Sequence, residues 1–153
     1  MLTTDQKVTL KTGILADATL ATLYTDGNLD GLASALNAPA SPVYVVWRDN
    51  YTSEQKTSAI DIGITQLDGL TASKRDSLLW WANRSHDARA ATTQAAMADL
   101  CGSQNTLKNA LLDGAKRNAS VLEKMFATGT GTTAAPGTSP VMGAISWSEL
   151  IGL

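Results

Sequence analysis

Histidine and cysteine each occur once in this chain, at His86 and Cys101, and that scarcity removes most of the side-chain chemistry on which small enzymes rely. A single cysteine cannot close an intramolecular disulfide, which fits a reducing compartment. Neither C-x-x-C nor H-E-x-x-H spacing occurs, so no metal site and no cofactor is expected. The sequence also lacks any run of about 20 apolar residues, and it does not open on the basic-then-apolar pattern of a secretory leader. Those features predict a soluble, intracellular chain with no membrane partner. Three glycosylation sequons, at Asn50, Asn83 and Asn118, are then most simply chance. Basic residues are few and scattered: 12 Lys and Arg stand against 14 Asp and Glu, a net charge of −2. Phosphate neutralisation needs clustered cations, so this balance argues against a dedicated nucleic-acid face.

What is present reads mainly as helix. Thr3 and Gln6 have capping-box spacing, and Val8, Leu10, Ile14 and Leu15 follow at helix-compatible positions. Asp26-Gly-Asn28 interrupts the next apolar stretch, and residues 29–36 form a short helix ended by Asn37-Ala-Pro39. Pro42 forces extended backbone, and Val43 to Trp47 has the β-branched and aromatic content of a strand. Helices are expected over residues 53–64, from Thr71 to Asn83, and over 87–100. Leu107, Leu111, Ala115, Leu122 and Phe126 then fall on one stripe, read as a single last helix broken only mildly at Gly114. Two adjacent tryptophans, Trp80 and Trp81, cannot both face one core.

No constellation specifies catalysis. His86 beside Asp87 reads as a solvated residue near a helix start, and Cys101 as a small buried apolar side chain. Gly129-Thr-Gly-Thr132 lacks the following lysine and the helix of a phosphate loop. Asp26 with Asp30, and Asp61 with Asp68, read as solvated caps and faces. Lys116, Arg117 and Lys124 would lie on the last helix as a solvated basic stripe. The chain is therefore not expected to be an enzyme.

Residues 127–153 carry one charged side chain, Glu149, and are rich in Thr, Gly and Pro up to Pro140. Beyond that point Val141, Met142, Ile145, Trp147, Leu150, Ile151 and Leu153 make an apolar end. The expected organisation is an all-α, predominantly helical bundle over residues 1–126, with a short extended segment near 43–47. A flexible, extended C-terminal docking arm follows over 127–153. Val141, Ile145, Trp147, Leu150, Ile151 and Leu153 are its candidate partner-binding residues, with Ile145 and Trp147 on one face of an added strand.

Two segments, LNAPASPVYVVWR over residues 36–48 and RNASVLEKMFATGTGT over 117–132, resemble stretches in the small head-and-neck proteins of tailed bacteriophages. Together they cover about a fifth of the chain. The resemblance implies an adaptor or connector subunit of the virion head-tail junction, made in the host cytoplasm and assembled, usually as twelve copies, into a ring under the portal. It also implies a C-terminal arm that engages the portal or neighbouring neck and tail proteins, and a channel that passes genomic DNA without binding it specifically. No catalytic residue is implied. A small helical DNA-binding or regulatory protein is the alternative, and it would have to use Lys74-Arg75 and residues 84–89.

Overall fold

The computed structural model describes residues 2–153, and the chain is mainly helical, as its periodicity predicts. It divides into two compact units, one built from residues 1–46 and 118–153, the other from residues 47–117. Strands β1 (Val45–Trp47) and β2 (Lys116–Asn118) pair in a two-stranded sheet.

The first unit contains α1 (Thr4–Ala16), α2 (Ala18–Thr25), α3 (Leu29–Asn37), α8 (Val121–Phe126) and α9 (Trp147–Leu150). The capping box at Thr3 forms as expected: the Gln6 amide donates to Thr3 Oγ1 at 3.2 Å, and the Thr3 amide donates to Gln6 Oε1 at 2.8 Å. Asp17 starts α2 by accepting from the Thr19 and Leu20 amides at 3.0 and 3.1 Å. Leu10 and Ile14 of α1, Leu32 and Leu36 of α3, and Leu122 of α8 form the centre of this unit's core.

The C-terminal segment completes that core, which corrects the expected division into a domain of residues 1–126 and a flexible arm of 127–153. Val141, Ile145 and Leu150 keep only 9%, 5% and 1% of their surface exposed and pack with Leu10, Ile14 and Leu36, while Leu153 packs on the same cluster. Apolar side chains this numerous are stabilised by the nearest apolar surface, and their own unit supplies it. Nor is the segment an extended strand with Ile145 and Trp147 on one face. Ile145 points inward, whereas Trp147 begins α9 and stays 51% exposed, with Ile151 at 56%.

Residues 128–138, which precede it, fold around Tyr44. The Tyr44 hydroxyl donates to the Gly129 carbonyl at 2.8 Å, the Val45 amide to the Gly131 carbonyl at 2.7 Å, and the Gly137 amide to the Val45 carbonyl at 2.8 Å. Gly131 has φ +67°, and a side chain there would run into the Tyr44 ring. The glycines that break periodicity here are thus required for close packing on an aromatic ring.

The second unit contains α4 (Ser53–Ile62), a 3-10 turn (Ile64–Gly69), α5 (Ala72–Ala82), α6 (Ala91–Cys101) and α7 (Asn105–Gly114). Its core gathers Tyr51, Ile60, Leu78, Trp81, Met97, Leu107 and Leu111. Of the two tryptophans, Trp81 enters this core at 6% exposure and Trp80 faces out at 59%, with the Arg84 guanidinium 3.7 Å over its ring. The stripe from Leu107 to Phe126 belongs to two helices, not one. α7 stops at Gly114, β2 intervenes, and Ser120 starts α8 by a new capping box with Glu123. A strong N-cap outcompetes continuation of a stripe across a glycine and the non-helical Lys116–Asn118.

Burial of Leu150 and exposure of Trp147 separate their energetic roles. Leu150→Ala is expected to lower the unfolding free energy by about 2–5 kcal/mol, and Trp147→Ala to change it by less than about 0.5 kcal/mol. Urea unfolding of the two variants checks this, and equal effects would contradict the packing of α9 described above.

Candidate functional site

The most unusual group in the molecule is a lysine with no exposed surface. Lys56 lies on α4 three and four positions before Ala59 and Ile60, which places all three on one helical face. That face is the core face, and Lys56 is 0% exposed. Thr52 begins the helix through a capping box with Gln55, at 3.1 and 3.3 Å, and so fixes which residues turn inward.

The Lys56 ammonium is held by unusual partners. It donates to the Arg84 carbonyl and lies 2.7 Å from His86 Nδ1. It also sits 4.6 Å from the Trp81 ring centre and 5.0 Å from that of Tyr51, both within cation–π range. Trp81 stacks on the His86 ring at 4.7 Å and 26°, and meets Tyr51 edge-on at 6.5 Å. Burial without a carboxylate lowers the Lys56 pKa from 10.5 to about 8. The His86 pKa is also lowered, first by burial and then by the Lys56 charge. Burial raises the pKa of Tyr51, whose hydroxyl lacks a hydrogen-bond partner and lies under Gly114.

An amine that is partly neutral near pH 8 has the electronic character of a nucleophile. Its enclosure prevents that use, because a carbonyl substrate has no path to Nζ through Tyr51, Trp81 and His86. What the arrangement does is bind backbone. The antiparallel bridge between Tyr51 and His86, with amide-to-carbonyl distances of 2.7 and 3.1 Å, and the Ala88 amide bond to the Arg48 carbonyl at 2.9 Å hold the α5–α6 connection on residues 48–51.

The residues singled out in the sequence are dispersed by the fold. His86 is half-buried in this cluster rather than a solvated residue at a helix start, since α6 begins only at Ala91. Cys101 is fully buried at the end of α6, and burial pushes its thiol up to about 11. Asp26, Asp30, Asp61 and Asp68 are all exposed, and Asp68 pairs with Arg75 at 3.7 Å. Lys116 and Arg117 lie on β2 and Lys124 on α8, so they do not form a stripe on one helix. Among the described residues, no three His, Cys, Asp or Glu side chains are grouped to hold a metal ion, and no helix is long and apolar enough to cross a membrane. The docking candidates separate into Val141, Ile145 and Leu150 inside the first unit's core, Leu153 at its edge, and Trp147 and Ile151 outside. Lys56 itself escaped the sequence reading, although its place on the Ala59–Ile60 face was the available signal.

Lys56 gives stability a distinctive pH dependence. Its folded pKa lies below the unfolded value, so between about pH 8 and 10.5 the unfolded chain holds a proton that the folded chain has released, and stability rises with pH across that window. Cys101 acts in the opposite sense above pH 9, because the folded chain retains the thiol proton. In a Cys101→Ala background, urea unfolding at pH 8 and 9.5 should show a gain of roughly 1–2 kcal/mol that Lys56→Met abolishes. A gain of equal size in the Lys56→Met chain would assign the effect elsewhere.

No family model matches the sequence, no curated protein matches it, and no solved structure matches its fold.

Proposed function

We propose that this chain is a structural subunit of the head-tail junction of a tailed bacteriophage, assembling as a homo-oligomeric ring that joins the portal to neighbouring neck and tail proteins. The observation that carries this reading is the pair Trp147 and Ile151. Trp147 opens α9 and Ile151 is the extended residue that follows its last residue; they expose 51% and 56% of their surface, while Leu150 between them is buried at 1%. A short helix anchored on one side and apolar on the other is suited to dock on a partner surface. Docking thus rests on Trp147 and Ile151, with Val141, Ile145 and Leu150 supporting them from the core. The two segments that resemble phage neck proteins lie largely in this first unit.

The charge distribution also favours a structural role over DNA recognition. The cations that a recognition surface would need are engaged within the chain. Lys74 pairs with Asp99 at 3.6 Å, Arg75 with Asp68 at 3.7 Å and Arg89 with Asp87 at 2.8 Å, and Arg84 stacks on Trp80. A channel wall near neutrality lets DNA pass without retaining it.

Truncating an apolar docking anchor typically costs about 2 kcal/mol or more, roughly thirtyfold in affinity. Trp147→Ala and Ile151→Ala should therefore reduce co-sedimentation with portal-bearing heads by at least about that factor, leaving melting unchanged, whereas Ser148→Ala should be retained like the parent chain. Equal retention of all three, or salt-dependent binding to duplex DNA without ring assembly, would overturn the proposal.

A further inference from the structure

We propose that the second unit carries an acid-opened latch, in which protonation of His86 breaks its contact with Lys56 and releases the α5–α6 connection from residues 48–51. An ammonium has no lone pair, which leaves the pair one arrangement at neutral pH. Lys56 Nζ stands 2.7 Å from His86 Nδ1, and with Lys56 charged the ring must accept at Nδ1 and carry its proton on Nε2. A second proton on the ring would have to enter at Nδ1, turning the acceptor into a donor that faces an ammonium. Both groups would then be cations at hydrogen-bond distance, with neither able to accept.

The surroundings relieve that conflict only in part. The charged and titratable groups around the pair are Tyr51 on the segment before α4 and Arg84 on the connection, followed there by the Asp87–Arg89 pair, whose arginine Asp49 also faces. Asp87 is engaged by Arg89 at 2.8 Å, and neither Lys56 nor His86 has an ion-pair partner among the described residues. Arg84 acts both ways: its carbonyl beside Nδ1 favours the protonated ring, and its side-chain charge, the smaller effect, opposes it, so burial and the Lys56 charge remain what keeps the ring neutral. The Tyr51 phenol stays neutral because burial raises its pKa. His86 is only half-buried, so water reaches the ring although Lys56 is sealed beneath it.

The Nδ1 atom also lies 3.1 Å from the Arg84 carbonyl, the same oxygen that Lys56 binds. A protonated ring can turn its new donor to the second lone pair of that carbonyl, but two cations then crowd one oxygen and repel each other. The connection thereby loses one of the two contacts that fix residues 84–86 to α4. The contacts next in line are the amide bonds joining Tyr51, His86 and Ala88 to the facing segment. These are the bonds whose opening reports the latch.

The sign follows from linkage. The folded imidazole has a lowered pKa, so the neutral ring belongs to the closed state, and the stabilisation present above about pH 6.5 is lost as pH falls through and below that value. One proton sets the limit, so protection of the latch amides falls by up to about tenfold for each pH unit within the window.

The experiment is amide hydrogen exchange of the intact chain between pH 7.5 and 5.0, corrected for intrinsic exchange rates, alongside an NMR titration of the one histidine. Protection at Tyr51, His86 and Ala88 should begin to fall near pH 6.5 and level off where the folded imidazole titrates, while Leu107 and Leu111 of α7 remain protected. In His86→Gln, which keeps an acceptor for Lys56 but cannot titrate, protection at these positions should be independent of pH. Constant protection in the parent chain, a fall shared equally by α7, or a fall that persists in His86→Gln would each overturn the latch.

Discussion

Irregular backbone can be buried only if its amide and carbonyl groups find partners, and in this chain a few helix-borne polar side chains supply them. Asn37, the last residue of α3, is the clearest case. Its Nδ2 donates to the Ile145 carbonyl at 2.7 Å, and its Oδ1 accepts from the Ile145 amide at 2.8 Å. One amide side chain thus substitutes for a strand neighbour. It satisfies both polar groups of a residue whose side chain must enter the core. Glu123 does the same from α8, accepting from the Ser120 amide at 3.0 Å and, through its other oxygen, from the Gly143 amide at 3.1 Å. Without Asn37, burying Ile145 would strand unpaired backbone groups, each costing about 1–3 kcal/mol.

The second unit follows the same rule with different residues. Gln66 in the 3-10 turn accepts from the Leu107 amide at 3.0 Å and donates to Thr106 Oγ1 at 3.1 Å, and so caps the start of α7 from a distance. Lys56 fills that role for the α5–α6 connection. A charge is a costly choice, since a buried ammonium without a carboxylate gives up hydration that the Arg84 carbonyl, His86 and two aromatic faces restore only in part. The lowered pKa of Lys56 expresses that deficit.

Helix starts were legible in the sequence because their determinants are local. Thr3, with its Gln6 partner, and Thr71 both act as the N-caps their spacing predicts. The extended character of Val43 to Trp47 was legible as well, in that β1 occupies Val45–Trp47. Placement of the C-terminal segment was not. Nothing near Ile145 announces that Asn37, 108 positions away, will bind its backbone, and Asn37 read simply as a residue that ends a helix. One local sign was available in Ser146 and Glu149, whose spacing matches a capping box; the Ser146 amide does donate to Glu149 Oε2 at 3.2 Å, at the start of α9. Lys56 was hidden for a related reason. A lysine reads as a solvated residue, and only the periodicity of the residues around it reveals that it faces inward.

Pinning irregular segments has a further consequence for whatever the surface binds. A tail that is disordered when free must be ordered at the moment of docking, at a cost of roughly 1–2 kcal/mol per residue in backbone entropy alone. Here that ordering is already supplied by Asn37, Glu123 and the burial of Val141, Ile145 and Leu150, so Trp147 and Ile151 are presented from a fixed base. Only their side-chain freedom remains to be lost on contact. An apolar docking surface of this kind can be small and still bind, and a ring of copies would multiply each modest contact. On the docking role proposed for Trp147, a substitution at Asn37, remote from it in sequence, would act by loosening the base from which that tryptophan projects.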